Sequence, residues 1–190
     1  MTSTDCFSTA LLRATTLFFA LAAAPLYAQQ AAKPTAVDPA SFDVIGISVR
    51  TSNGAETTGN GEIPKLWQRL FMEGILSAIP DRADDGIVAV YTQYASDQNG
   101  EYTYILGSKV KAGTKAPDGM TAISIPGGKY LEFVTERGPG AEVIPAAWQG
   151  IYGYFQNLGN PARTFKTDYE VYGELSDPNA MQGQIFIGVK

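Results

Sequence analysis

Apolar and polar positions follow two different periods along residues 41–190. Residues alternate with a period of two in Phe42–Arg50, as in a half-buried strand, whereas Glu62–Ile79 has apolar residues at helical spacing. Two more strand patterns follow, Ile87–Tyr94 and Glu101–Lys111, and the Asn99-Gly100 dipeptide between them is typical of a hairpin. The first half is therefore predicted to fold in the order β-α-β-β.

The second half of the chain repeats this order. Lys129–Glu136 has a strand pattern and Glu142–Leu158 has a helical one. Asp168–Glu174 and Gln182–Lys190 then predict a closing hairpin, and an extra strand, Thr121–Ile125, links the two halves.

Short identical motifs support a duplication. Ile63–Gln68 (IPKLWQ) is matched by Ile144–Gln149 (IPAAWQ), with an offset of 81 between Trp67 and Trp148. Tyr91–Tyr94 (YTQY) is echoed by Tyr169–Tyr172 (YEVY) with an offset of 78.

The patterns and the repeats together predict the fold class. We expect an α+β fold in which duplicated β-α-β-β halves, about 41–111 and 121–190, form an antiparallel sheet with two helices on one face. A concave seam between such halves is where small molecules generally bind, so a central ligand groove is expected.

The first forty residues have a different character. Residues 1–28 are typical of a secretory signal peptide, with Arg13 before an apolar stretch, Thr15–Leu26, and a small residue, Ala28, at the predicted cleavage site. An uncleaved amphipathic or buried helix is the alternative. Residues 29–40 are rich in Ala, Pro and Gln and predict a flexible linker before the domain at 41–190. We therefore expect a periplasmic or secreted protein without a stable membrane anchor after cleavage.

Composition excludes several classes of function. The 190 residues include no histidine, and the single cysteine, Cys6, lies in the predicted leader. Histidine-based catalysis, thiol catalysis and the usual zinc sites are therefore excluded from the mature chain, and we expect no metal and no cofactor. The net charge of −5 lacks the basic surface that binding to phosphates requires, so we expect no direct nucleic-acid binding.

Strand alternation near the C-terminus suggests a ligand pocket. Ile185 and Ile187 share an apolar face that is best buried under the helices, which leaves Gln184 and Phe186 on the other face. Alternation in the preceding strand would bring Glu170 and Tyr172 to that same outer face, with Tyr94 at the parallel position of the first half. Aromatic rings with an acid at the floor suit a hydrophobic cation.

Each candidate also has a plain structural interpretation. Glu170 could pair with a cation across the sheet while Tyr172 fills space. Trp67 and Trp148 could be core residues of their helices, although their matched positions favour two walls of one cleft. The predicted ligand-binding residues are Glu170, Tyr172, Gln184, Phe186, Tyr94, Trp67 and Trp148.

Several motifs are distinctive in combination: Tyr91–Tyr94, NGEYTYILGSKV (99–110), IPGGKYLEF (125–133), DYEVYGE (168–174) and QIFIGVK (184–190), together with the Trp148 helix. They resemble the GyrI-like small-molecule-binding family, the AraC-type effector-binding domains, and in particular its stand-alone members. The resemblance implies a duplicated βαββ fold whose groove binds hydrophobic, often cationic compounds. It also implies that Glu170 is the family's acid and Tyr172 its following aromatic residue, whereas Gln184 stands where relatives often have a second acid.

The leading hypothesis is therefore an exported module that binds a small hydrophobic or cationic molecule. Some members of the family hydrolyse reactive cyclopropane-type compounds with a glutamate, so a hydrolase that uses Glu170 is one alternative. A protein-interaction domain is another. The sequence leaves open whether the domain is a monomer or a homodimer.

Overall fold

The computed structural model describes residues 33–59, 61–173 and 179–190. The predicted signal peptide therefore lies outside the described residues. Within them, eight strands and four helices follow one another along the chain. In order they are β1 (Thr35–Val37), β2 (Phe42–Ser52), α1 (Asn53–Glu56), α2 (Glu62–Met72), α3 (Ile75–Ala78), β3 (Ile87–Thr92), β4 (Glu101–Val110), β5 (Thr121–Ile125), β6 (Tyr130–Val134), α4 (Gly140–Gln156), β7 (Arg163–Tyr172) and β8 (Gly183–Val189).

The predicted helix Glu62–Ile79 is divided into α2 and α3. Gly74 has a φ of 64°, a left-handed conformation that ends one helix and begins the next. In α2, Leu66 and Leu70 are buried one turn apart, and α4 buries Trp148 and Ile151 in the same way. These apolar stripes pack against the sheet, so both long helices cover one face of it, as predicted.

The sheet is antiparallel in every described pairing, and its strand order is β1-β6-β8-β7-β3-β4-β2-β5. This order is symmetric if β1 to β4 of the first half correspond to β5 to β8 of the second. The halves meet where β3 pairs with β7, and a pseudo-two-fold axis passes between these two strands. The predicted duplication is thus visible in the topology, and each half exchanges its first strand with the other.

The sheet curls strongly. In a flat sheet β1 and β2 would lie about 29 Å apart at roughly 4.8 Å per strand. The chain crosses from Val37 to Phe42 in five steps, which reach at most about 19 Å. The two ends of the sheet must therefore approach each other, and the face away from the helices closes on its own apolar cluster, which includes Val44, Val90 and Tyr169.

The predicted flexible linker is wrong in its described part. Thr35–Val37 forms β1 and pairs with Tyr130–Glu132 at the edge of the sheet. The partly buried Val37 packs against the apolar cluster inside the curled sheet, which explains why this stretch is ordered in spite of its composition. Among the described residues, no helix combines the length and apolarity needed to cross a membrane.

Candidate functional site

A cleft of about 880 Å³ opens between α2 and α4 on the helix-covered face of the sheet. Its walls are almost entirely apolar. One wall is formed by Ile63, Pro64 and Trp67 of α2, and the other by Ile144 and Pro145 of α4. These are the residues of the repeated IPxxW motif, so the duplicated sequence builds both walls of one cleft.

Tyr172 also lines this cleft, and it connects the cleft to a buried acid. The Tyr172 hydroxyl donates a hydrogen bond of 2.6 Å to Oε2 of Glu170, which is only 1% exposed and does not line the cleft itself. Tyr172 therefore stands between the carboxylate and the space where a ligand would lie.

Two further donors satisfy the other oxygen of Glu170. The Tyr91 hydroxyl donates to Oε1 at 3.0 Å, and the Trp148 indole N–H donates to the same atom at 2.5 Å. With the bond from Tyr172, the carboxylate accepts three hydrogen bonds, one each from β3, α4 and β7. Buried acids need such donors, because burial without them costs several kcal/mol.

The donors are arranged about the pseudo-two-fold axis. Ala89 of β3 lies directly opposite Glu170 of β7. The offset of 81 that relates Trp67 to Trp148 also relates Ala89 to Glu170 and Tyr91 to Tyr172. The acid therefore lies beside the axis, flanked by a symmetric pair of tyrosines and beneath a symmetric pair of tryptophans.

Aromatic rings form a continuous layer around the acid. Trp67 contacts Tyr172 edge-on with ring centroids 5.1 Å apart, and its indole N–H donates to the Tyr104 hydroxyl at 3.0 Å. Tyr91 lies 5.0 Å from both Tyr104 and Trp148. Such rings present negative faces and exclude water.

No cation neutralises Glu170 among the described residues. The five ion pairs found there do not include it, and the buried Arg163 pairs with Asp168 instead, at 2.6 Å. Burial raises the pKa of the Glu170 carboxyl above its ordinary value, and the three hydrogen bonds oppose this rise. Burial also raises the pKa of Tyr91 and Tyr172 well above the ordinary value, so their hydroxyls remain donors.

Residues 37–189 match the family model of Cass2, described as integron-associated effector binding protein. The chain belongs to this family. It is 31% identical over 148 residues to the YobU protein of Bacillus subtilis, a match that covers 76% of the chain and 90% of YobU. It is 28% identical over 148 residues to the transcriptional regulator BrlR of Pseudomonas aeruginosa, a match that covers 76% of the chain and 51% of that regulator.

Solved structures share the fold. The integron cassette protein VCH_CASS2 of Vibrio cholerae superposes with a TM-score of 0.66 at 23% identity, over 85% of this chain and 97% of that one. SAV2435, solved bound to tetraphenylphosphonium, superposes with a TM-score of 0.69 at 18% identity, over 83% and 94%. The expected GyrI-like fold and the resemblance to effector-binding proteins are therefore confirmed, with Cass2 as the family.

In this Cass2-family domain the predicted face of Glu170 and Tyr172 is wrong. Glu170 pairs with Ile185, and Val171 pairs with Gln184, so Glu170 shares the helix-covered face with the isoleucines. The prediction reserved that face for apolar side chains. A carboxylate can occupy it because three donors converge on it there.

Three predicted ligand contacts consequently lie elsewhere. Gln184 is exposed on the opposite face and donates to Glu132 at 2.6 Å. Phe186 stacks on Tyr169 at 4.5 Å inside the curled sheet. Tyr94 donates to Asp168 at 2.7 Å, beside Arg163 and away from the cleft.

The structure brings together four of the predicted residues, namely Glu170, Tyr172, Trp67 and Trp148. Of these four, only Trp67 and Tyr172 line the cleft. The sequence interpretation missed Tyr91 and Tyr104. Its offset of 78 matched Tyr91 with Tyr169, but these two side chains belong to apolar clusters on opposite faces of the sheet. Applying the offset of the tryptophans to Tyr172 would have identified Tyr91.

Proposed function

We propose that the cleft binds a hydrophobic aromatic molecule that carries one positive charge, and that Glu170 supplies the opposite charge. The observation that carries the proposal is a fully buried carboxylate without a neutralising cation in the described chain. An ionised acid in such surroundings is costly by itself, and a bound cation would relieve the cost.

The walls of the cleft suit the rest of such a ligand. Ile63, Ile144 and the two prolines offer apolar surface, and Trp67 and Tyr172 offer aromatic rings that attract cations. A volume of about 880 Å³ is within the usual range for small-molecule sites. The tetraphenylphosphonium bound by SAV2435 has the chemistry expected here, namely a single charge enclosed in aromatic rings.

Hydrolysis with Glu170 as nucleophile or base is less well supported. Both carboxylate oxygens already accept hydrogen bonds, and Tyr172 separates them from the cleft. A general base must reach the proton that it removes, directly or through one water. Binding without turnover is therefore the function that the geometry favours.

Replacing the acid tests the proposal. We expect Glu170→Gln to lose about 1–3 kcal/mol of binding free energy for tetraphenylphosphonium, the usual cost of removing a charged partner. Isothermal titration calorimetry at pH values where Glu170 is ionised gives the affinity, and quenching of Trp67 fluorescence reports whether the ligand enters the cleft.

Glu132→Gln is the matched control. It removes the same charge from β6, where the side chain accepts a hydrogen bond from Gln184 on the face away from the cleft. Tetraphenylphosphonium should bind this variant as tightly as the wild type. Equal affinities for wild type and Glu170→Gln would show that the acid does not contribute to cation binding.

We also propose that the domain works outside the cytoplasm. The support is the sequence of residues 1–28 alone, with Arg13, the apolar stretch and Ala28 in the order of a secretory signal.

A further inference from the structure

Tyr172 connects the cleft to the buried acid, Glu170. Tyr172 lines the cleft, and its hydroxyl lies 2.6 Å from Oε2 of Glu170. The direction of this one hydrogen bond depends on the protonation state of Glu170. It therefore decides which group Tyr172 can offer to a ligand.

When Glu170 is ionised it can only accept hydrogen bonds. Tyr91, Trp148 and Tyr172 then all donate to it, and the Tyr172 hydroxyl hydrogen is held by Glu170. In this state the cleft contains aromatic faces and a nearby negative charge but no free donor from Tyr172.

When Glu170 is protonated, the geometry favours the proton on Oε2. Oε1 already receives two donors, and the Trp148 indole N–H cannot accept a hydrogen bond. Oε2 has only Tyr172, whose oxygen can accept. The bond then reverses: Glu170 donates to Tyr172, and the Tyr172 hydroxyl hydrogen becomes free to bond an acceptor other than Glu170.

Tyr91 is less suited to this reversal because it does not line the cleft. Both hydroxyls are buried, and an unpaired buried donor is costly, so the reversal is favourable only where a ligand in the cleft can accept the released hydrogen bond.

Few other charged groups lie near the hydrogen-bonded pair of Glu170 and Tyr172. The titratable side chains that face Glu170 from the packed elements are tyrosines, and burial raises the pKa of each, so they stay neutral: Tyr91 on β3, Tyr102 and Tyr104 on β4, Tyr152 on α4 and Tyr172 on β7. Glu56 of α1 accepts hydrogen bonds from the backbone at the start of α2, and Arg163 is paired with Asp168. Within the described chain, the carboxyl of Glu170, whose pKa is raised by burial, is thus the group at this site whose charge depends on pH.

We infer that the same cleft also takes a second class of ligand, neutral aromatic molecules with a hydrogen-bond-accepting oxygen, which Tyr172 binds when Glu170 is protonated. The inference rests on the proposed function, because it uses the same cleft and the same acid. Lower pH then exchanges one ligand class for the other instead of closing the site.

Two probes that carry phenyl groups on phosphorus, four in one and three in the other, separate the classes. Tetraphenylphosphonium has a permanent charge, and triphenylphosphine oxide is neutral with a strongly accepting oxygen. Neither titrates in the range used, so any pH dependence comes from the protein. As the pH is lowered through the raised pKa of Glu170 and this residue gains its proton, the wild type should bind the oxide more tightly and the phosphonium more weakly.

Two variants show which residue is responsible for the pH dependence of binding of each probe. Glu170→Gln keeps a donor toward Tyr172 permanently, so it should bind the oxide tightly and the phosphonium weakly, both without pH dependence. Tyr172→Phe should lose about tenfold in affinity for the oxide at low pH, the value of one hydrogen bond. It retains the pH dependence of phosphonium binding, because Glu170 is still present.

The outcomes distinguish the two proposals. Oxide binding that is independent of pH in the wild type, or unchanged in Tyr172→Phe, overturns the second ligand class while cation binding stands. Phosphonium that fails to bind at any pH, with oxide binding that follows the scheme, overturns the proposed function alone. Failure of both probes to bind the wild type overturns both. If circular dichroism shows that Tyr172→Phe does not fold, the Glu170→Gln comparison decides.

Discussion

Ionising Glu170 opposes folding when no cation is bound, because the carboxyl is fully buried and only neutral groups donate to it. Desolvation by burial places its pKa in the folded state above the value in the unfolded chain. The folded state therefore binds this proton more tightly than the unfolded state does. Stability that depends on this group is present at low pH and is lost as the pH rises from the unfolded pKa through the folded one.

Urea denaturation as a function of pH tests whether stability falls in this way as the pH rises. The free energy of unfolding of the wild type should fall relative to that of Glu170→Gln as the pH rises above about 4.3, the ordinary value for a glutamate. The difference should become constant once Glu170 is ionised in both states. Saturating tetraphenylphosphonium should stabilise the wild type more than the variant at high pH. A wild type that gains stability relative to Glu170→Gln over this range would mean that the three hydrogen bonds outweigh the burial of the charge.

The sequence predicted the identities of the site residues better than it predicted the face of the sheet on which they lie. Glu170 and Tyr172 follow from the family resemblance, and Trp67 and Trp148 from the repeated motif. Their faces did not follow, because alternation sorts side chains into two sets without saying which set the helices cover. A buried acid among isoleucines contradicts the usual pattern, and only the convergence of three donors explains it.

Strands β2 and β4 approach each other unusually closely at a pair of glycines. Gly46 lies directly opposite Gly107, and a Cβ atom on Gly107 would lie only 1.9 Å from the Ile45 carbonyl oxygen. Glycines inside these strand patterns indicate a close approach or a bulge, because glycine weakens a strand that has no need of it. At Gly46 and Gly107 the reason is a close approach of the two backbones.

Gly107→Ala should accordingly destabilise the domain by about 1–3 kcal/mol, the usual cost of overpacking a close contact. Chemical denaturation measures the loss. Gly153→Ala is the matched control, since this glycine is exposed on α4 and a Cβ atom there would have no neighbour within 4 Å beyond the backbone of its own helix. There the change should stabilise by about 0.5–1 kcal/mol through helix propensity. Similar effects at both positions would show that the strand contact can relax.

Some elements could not be predicted from the pattern of apolar and polar residues. Helix α1 has only four residues, too few for a periodicity to show. It nevertheless positions Glu56, whose carboxylate accepts hydrogen bonds from the backbone N–H groups of Glu62 and Ile63 at 3.0 and 3.1 Å. These bonds cap α2, whose N-cap residue is Gly61, at the wall of the cleft.

For the whole molecule, the duplication was predictable and the curvature was not. The matched IPxxW motifs indicated two related halves, and the symmetric strand order agrees with them. The curl arises from two short crossings that no single strand pattern contains, at residues 38–41 and 126–129. Because of it, the sheet face away from the helices closes on itself, and the cleft described above lies on the other face, between the helices.

The predicted leader could be removed without disturbing the strands of the domain. The apolar stretch Thr15–Leu26 has twelve residues, fewer than the roughly twenty that span a bilayer, and suits a signal that is recognised and removed. Cleavage after Ala28 would leave six residues before β1 begins at Thr35, so the strand that closes the sheet edge would stay intact. The released domain would have no cysteine, because Cys6 is removed with the leader, and its folding would not depend on disulfide formation.

Fractionation followed by N-terminal sequencing tests export. We expect the protein outside the cytoplasm with Gln29 as its first residue. Ala28→Arg should block processing and leave a longer chain with the membranes, because the cleavage site requires a small residue. The change lies outside the domain that forms the cleft, so the purified variant should bind tetraphenylphosphonium as the wild type does. Protein that begins at Met1 and remains in the cytoplasmic fraction would refute export, and the cleft would then meet its ligands inside the cell.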